Sequence, residues 1–197
     1  QSRGGWDYEP KMTGRNDLSI TGWAVMALLS CKNAGLTVPP EAFQKVARFI
    51  RNATSVSGEG VYADKSPEAG RKGIGMTAVS LYCRQLLGET EDASVYKKQL
   101  SLITQTPPHW VALTNTEGLF KNPDGGSRTP EGYSMYYWYY GTLAMFNHGG
   151  DAWKKWNDAL RDMLVLHQTR GNGCNQGSWD PTDDDFGKFA GRVYATA

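Results

Sequence analysis

Gly4-Gly5-Trp6-Asp7-Tyr8, Gly58-Glu59-Gly60-Val61-Tyr62, Glu117-Gly118-Leu119-Phe120 and Gln176-Gly177-Ser178-Trp179-Asp180 are one signature written four times. Taken between Trp6, Tyr62, Phe120 and Trp179, the copies recur about every 56 to 59 residues. That period holds two helices and their loops. It marks a repeat architecture in which each unit buries its apolar face against its neighbours. Repeats therefore start near residues 4, 58, 117 and 176, and residues 1–197 read as a single domain.

Each copy follows the same grammar: signature, polar loop, apolar helix, short break, amphipathic helix. In the first copy Asp17 or Ser19 is placed to cap a helix carrying Ile20, Trp23, Ala24, Ala27, Leu28 and Cys31. Gly35 ends it, and Pro39-Pro40 opens a second helix with Phe43, Val46, Ala47 and Ile50 on one stripe and Lys45, Arg48 and Arg51 off it. In the second copy Gly73 precedes an apolar run from Met76 to Leu87, Gly88 stops it, and a charged helix from about Asp92 to Gln105 follows. The third predicts an apolar helix over Tyr133–Phe146, a break at Gly149-Gly150 and an amphipathic helix over Ala152–Gln168. The fourth only begins, with Gly191 to Ala197 as first helical turns, so the chain reads as a piece of a longer protein.

Alternation of a buried helix with an amphipathic one implies two layers. The expected fold is all-α, a partial α/α toroid of about three and a half helical hairpins with inner and outer helices. Short pairings such as Gly60-Val61-Tyr62 would be confined to loops. A net charge of +1, with no Lys/Arg block, argues against nucleic acid or an anionic membrane as partner. No apolar run is long enough to span a bilayer. Cys31, Cys83 and Cys174 lack metal spacing and read as free thiols. A secreted or cell-envelope location is the expectation.

Aromatic residues reach 12% of the chain, with seven Trp, and Met135-Tyr136-Tyr137-Trp138-Tyr139-Tyr140 is the densest run. On a helix Tyr136 and Tyr140 share one face, while Tyr133 and Tyr137 lie near another. Such rings would line a cavity for an apolar, cationic or sugar ligand. For any one ring, filling space between helices is the plainer role.

The signature, with Gln168 leading to Gly177-Ser178-Trp179, resembles the QW-type repeat of squalene and oxidosqualene cyclases. The whole chain is similar to bacterial prenyltransferase and squalene oxidase repeat proteins of the terpenoid cyclase and protein prenyltransferase α/α-toroid superfamily. The resemblance implies that Gln168, Gly177 and Trp179 are stability residues, tying an outer helix to the loop before an inner one. Trp6, Tyr62 and Phe120 would mark the same position in the other copies. The Thr169–Asn175 loop is an insertion relative to the family spacing. The fold hosts many activities, so function must be argued from residues.

No complete catalytic motif of the superfamily is written here. The run Asp180-Pro181-Thr182-Asp183-Asp184-Asp185 lacks the Asp-x-Asp-Asp spacing of an alkene-protonating acid. Its composition would suit calcium, but a solvated acidic loop with Asp180 or Asp183 capping a turn is the plainer reading. His109, His148 and His167 have no Cys at zinc spacing, and a thioester motif is missing. One site remains. Inner-helix N-termini should gather on a rim carrying Asp17, Thr21, Asp64, Thr77, Arg128, Tyr133, Asp183 to Asp185, Arg192 and Tyr194. The sequence thus favours a non-catalytic binding or interaction module for a small molecule, a carbohydrate or a protein, able to dimerise through an open toroid edge. A terpenoid cyclase-like enzyme and a polysaccharide-active, lyase-like enzyme are the alternatives.

Overall fold

The computed structural model describes residues 3–9, 11, 14–65, 69–91, 93–110, 133–182, 184 and 186–197. Within these the chain is all-α, with seven helices and only isolated β-bridges. They are α1 (Leu18–Asn33), α2 (Pro40–Asn52), α3 (Ile74–Leu86), α4 (Ser94–Gln105), α5 (Met135–His148), α6 (Gly150–His167) and α7 (Gly187–Thr196). Among the described residues no helix is long and apolar enough to cross a membrane.

Local chemistry sets the helix limits. Asp17 caps α1 by accepting from the Ser19 and Ile20 amides, and Pro40 starts α2 where its missing N–H costs nothing. Gly35 and Gly88, both at positive φ, end α1 and α3. Ser134 has extended backbone and caps α5 through the Tyr137 amide, so that helix begins two residues after the expected Tyr133. The last helix starts earlier than expected, with a turn before Gly191. It breaks there, where φ is 73° and ψ −170°.

Helices α1, α3 and α5 pack in a central row, with α3 in the middle. Helix α2 covers α1 and α3, α4 covers α3, and α6 covers α5. The core follows this plan: α2 turns Val46, Phe49 and Ile50 inward and leaves Lys45, Arg48 and Arg51 exposed. Buried Arg84 of α3 is held by Glu89 at 2.8 and 2.6 Å and by Thr54 at 3.0 Å, which offsets the cost of its charge. On α5, Gly141 lets the Trp156 ring of α6 lie against the helix backbone, and the indole donates to Thr142 at 3.0 Å.

Loops of one copy tie down the copy before it. The Leu18 amide donates to the Tyr62 carbonyl at 2.7 Å, and isolated bridges join Asp17 to Trp6 and to Ala63. Another joins Thr54 to Gly60, and Val61 pairs with Lys72. These are the short loop pairings that Gly60-Val61-Tyr62 implied.

Candidate functional site

The polar residues at the N-terminal ends of the central helices mostly bond loop and helix-end backbone groups. Thr21 accepts the Trp6 amide at 3.0 Å, and Thr77 accepts that of Gly60 at 3.0 Å while donating to the Gly73 carbonyl. Both threonines stand at the fourth position of their helices, so the two signatures dock in the same way. Asp64 accepts both the backbone and side-chain N–H of Asn16 at 2.7 Å. Buried Asp184 accepts from Met135 at the start of α5 and from Phe186 and Gly187, each at 2.9 Å. Each of these two loop carboxylates thus fastens its own copy to the copy before it.

Asp17 accepts from Ser19, Ile20 and, at 3.0 Å, Arg15. Arg15 also pairs with Asp7. Burial works against its charge, but the Asp7 and Asp17 carboxylates more than offset this and raise its pKa. Arg192 reaches Asp180 at 2.7 Å, Ser178 at 2.9 Å and Thr169 at 3.3 Å. Tyr194 lies near Asp184, its phenol pushed up chiefly by burial. Arg128, Phe120, Asp183 and Asp185 lie outside the described residues.

A second constellation lies on the aromatic side of the central row. Trp23 of α1 stacks on Tyr139 of α5, with centroids 5.7 Å apart and 24° between planes, and meets Tyr140 edge-on at 5.9 Å. Helices α1 and α5 therefore touch across α3, whose Tyr82 lies 6.4 Å from Tyr140. Tyr136 packs on Tyr140 at 5.1 Å and on Phe186 at 6.1 Å. The hydroxyls of Tyr136 and Tyr140 are buried and approach each other, and burial pushes both phenols up. At the border Tyr8 meets the hydroxyls of Ser19 and Tyr62, each at 3.3 Å, and Arg71 lies over the Tyr62 ring at 4.2 Å. Trp23 stays 49% exposed and Tyr139 40%, so solvent reaches the rings.

The tyrosines of the dense run divide by helix face. Tyr137 turns to the covering helices, donating to Thr106 at 2.7 Å and meeting Trp156 edge-on. Tyr133 packs on Trp110 and Trp138. These two stand away from Tyr136 and Tyr140.

Gln168 donates to the Gly177 carbonyl at 2.8 Å, and the Trp179 indole to Leu164, near the end of α6, at 2.8 Å. The motif thus satisfies groups at a helix C-terminus and the loop beyond it, with Thr169–Asn175 bulging between. Asp180 is engaged by Thr182 and Arg192, and those hydrogen bonds hold its carboxyl below the ordinary value, the Thr182 pair foremost. Among the described residues no three His, Cys, Asp or Glu side chains converge as metal ligands. His148 pairs with Glu91 at 3.1 Å, and His167 stacks on Trp110.

The site reading from sequence omitted Trp23, Tyr139, Tyr82, Tyr8 and Arg15. Trp23 had a signal, a large ring among the small residues of α1; Arg15 had one in the flanking Asp7 and Asp17. No protein-family model matches this chain, nor does any curated protein or solved structure.

Proposed function

We propose that the chain is an arc of an α/α toroid of the squalene-cyclase-like repeat type. It serves as a non-catalytic binding module whose aromatic inner face holds an oligosaccharide. The observation carrying this reading is the solvent-reached Trp23–Tyr139 stack beside the paired phenols of Tyr136 and Tyr140. Aromatic faces cover the apolar C–H face of a sugar ring, and phenol hydroxyls both donate to and accept from its hydroxyls.

A terpenoid cyclase-like enzyme is the second reading, favoured by a buried carboxylate, Asp17, close to Tyr136. It stands second because both oxygens of Asp17 already accept hydrogen bonds from α1 and Arg15.

The test is thermal stabilisation and Trp fluorescence against neutral oligosaccharides, acidic oligosaccharides with and without calcium, and isoprenoid alcohols. At about a hundred times its dissociation constant a ligand adds roughly 2.7 kcal/mol. Stabilisation by a sugar that Trp23→Ala abolishes supports the binding module. An isoprenoid as the only stabilising ligand moves the reading to the cyclase-like enzyme.

A further inference from the structure

Two glycines of the repeat share a geometry that only glycine adopts freely. Gly4 (φ 101°) and Gly58 (φ 97°) each stand two residues before the amide that bonds a central-helix threonine, through Trp6 to Thr21 and through Gly60 to Thr77. Each is closed by a covering helix. A Cβ on Gly4 would overlap the Lys45 carbonyl of α2, and one on Gly58 would stand 2.8 Å from Lys98 Cβ and 3.5 Å from the Gln99 nitrogen of α4. The missing side chain is what lets a helix lie that close.

Gly177 is the third member. Its φ is 80°, and it stands two residues before Trp179, whose amide donates to Thr196 of α7 at 3.4 Å. Over Gly177, among the described residues, nothing lies within 4 Å of an added Cβ. The neighbouring helices leave large apolar side chains open: Leu166 near the end of α6, and Phe189 and Val193 on α7, which are 92% and 81% exposed.

We propose that this face docks an amphipathic α-helix from a polypeptide segment outside residues 1–197. It would lie across Gly177 and α7 as α2 lies across Gly4 and α1, and as α4 lies across Gly58 and α3. The outer layer formed by α2, α4 and α6 would thereby gain its next member. The occupant carries an apolar stripe spaced like Phe43, Val46, Ala47 and Ile50, with a polar opposite face. A second copy of the chain is a poor occupant, because its α2 and α4 already lie on their own glycines. The inference is independent of the aromatic face and its ligand.

The experiment titrates the 197-residue protein into a labelled peptide with the sequence of residues 39–53, read by fluorescence anisotropy. A peptide of the same composition with its apolar residues dispersed is the control. Saturable binding of the first peptide and not the second is expected. Phe189→Ser and Val193→Ser, at open positions that leave the melting temperature unchanged, should each weaken it about tenfold. Absence of saturable binding overturns the proposal, as does binding indifferent to both substitutions. Self-association in sedimentation velocity that Phe189→Ser abolishes also overturns it, by assigning the face to a second copy.

Discussion

Thr77 is a hinge pin between loop and helix, since one hydroxyl accepts the Gly60 amide and donates to Gly73. Thr77→Val keeps the shape and leaves a buried donor unpaired, so it should cost about 1–3 kcal/mol in urea unfolding. From the sequence, Asp17 was legible as a cap because it directly precedes an apolar run. The threonines looked instead like ligands on a rim, because the amides they serve lie fifteen and seventeen residues away. No local pattern announces such a partner. Burial likewise separates the thiols: Cys83 is buried and its thiol pushed up to about 12, whereas Cys174 is exposed. Native protein should therefore lose Cys174 to an alkylating reagent while Cys83 reacts only on unfolding, as peptide mapping would record.

Between helices α5 and α6 the decisive contact is Trp156 against Gly141. A Cβ there would overlap the indole, so Gly141→Ala should cost about 1–3 kcal/mol despite its better helix propensity. The penalty should shrink in a Trp156→Leu background, and a double-mutant cycle in urea measures that coupling. Element order was readable from glycines, prolines and apolar spacing, because these are local signals. The start of α5 was not, since Ser134 competes with Tyr133 for the first turn and the outcome depends on its own extended backbone. Nor was it readable that Trp23 would cross α3 to meet Tyr139, because that depends on how closely three helices pack in a row.

Across the molecule, buried phenols make stability depend on alkaline pH. Tyr62, Tyr82, Tyr96, Tyr136, Tyr140 and Tyr194 all titrate above the ordinary 10.0, with burial the largest cause in each. Their folded values exceed the unfolded one, so the unfolded chain sheds these protons first. This stability is fully present below pH about 10 and drains away as the pH climbs beyond it toward the folded values. Melting temperature should fall steeply over that range, with the tyrosinate absorbance rising in step with unfolding. The stitching of copies has its own consequence during synthesis. The start of α1 is fastened by Tyr62 and Asp64, which the ribosome delivers long after α1 itself. A nascent chain arrested before Tyr62 emerges should stay open to protease along α1, and one arrested after Leu86 has emerged, with α3 packed on α1, should resist it.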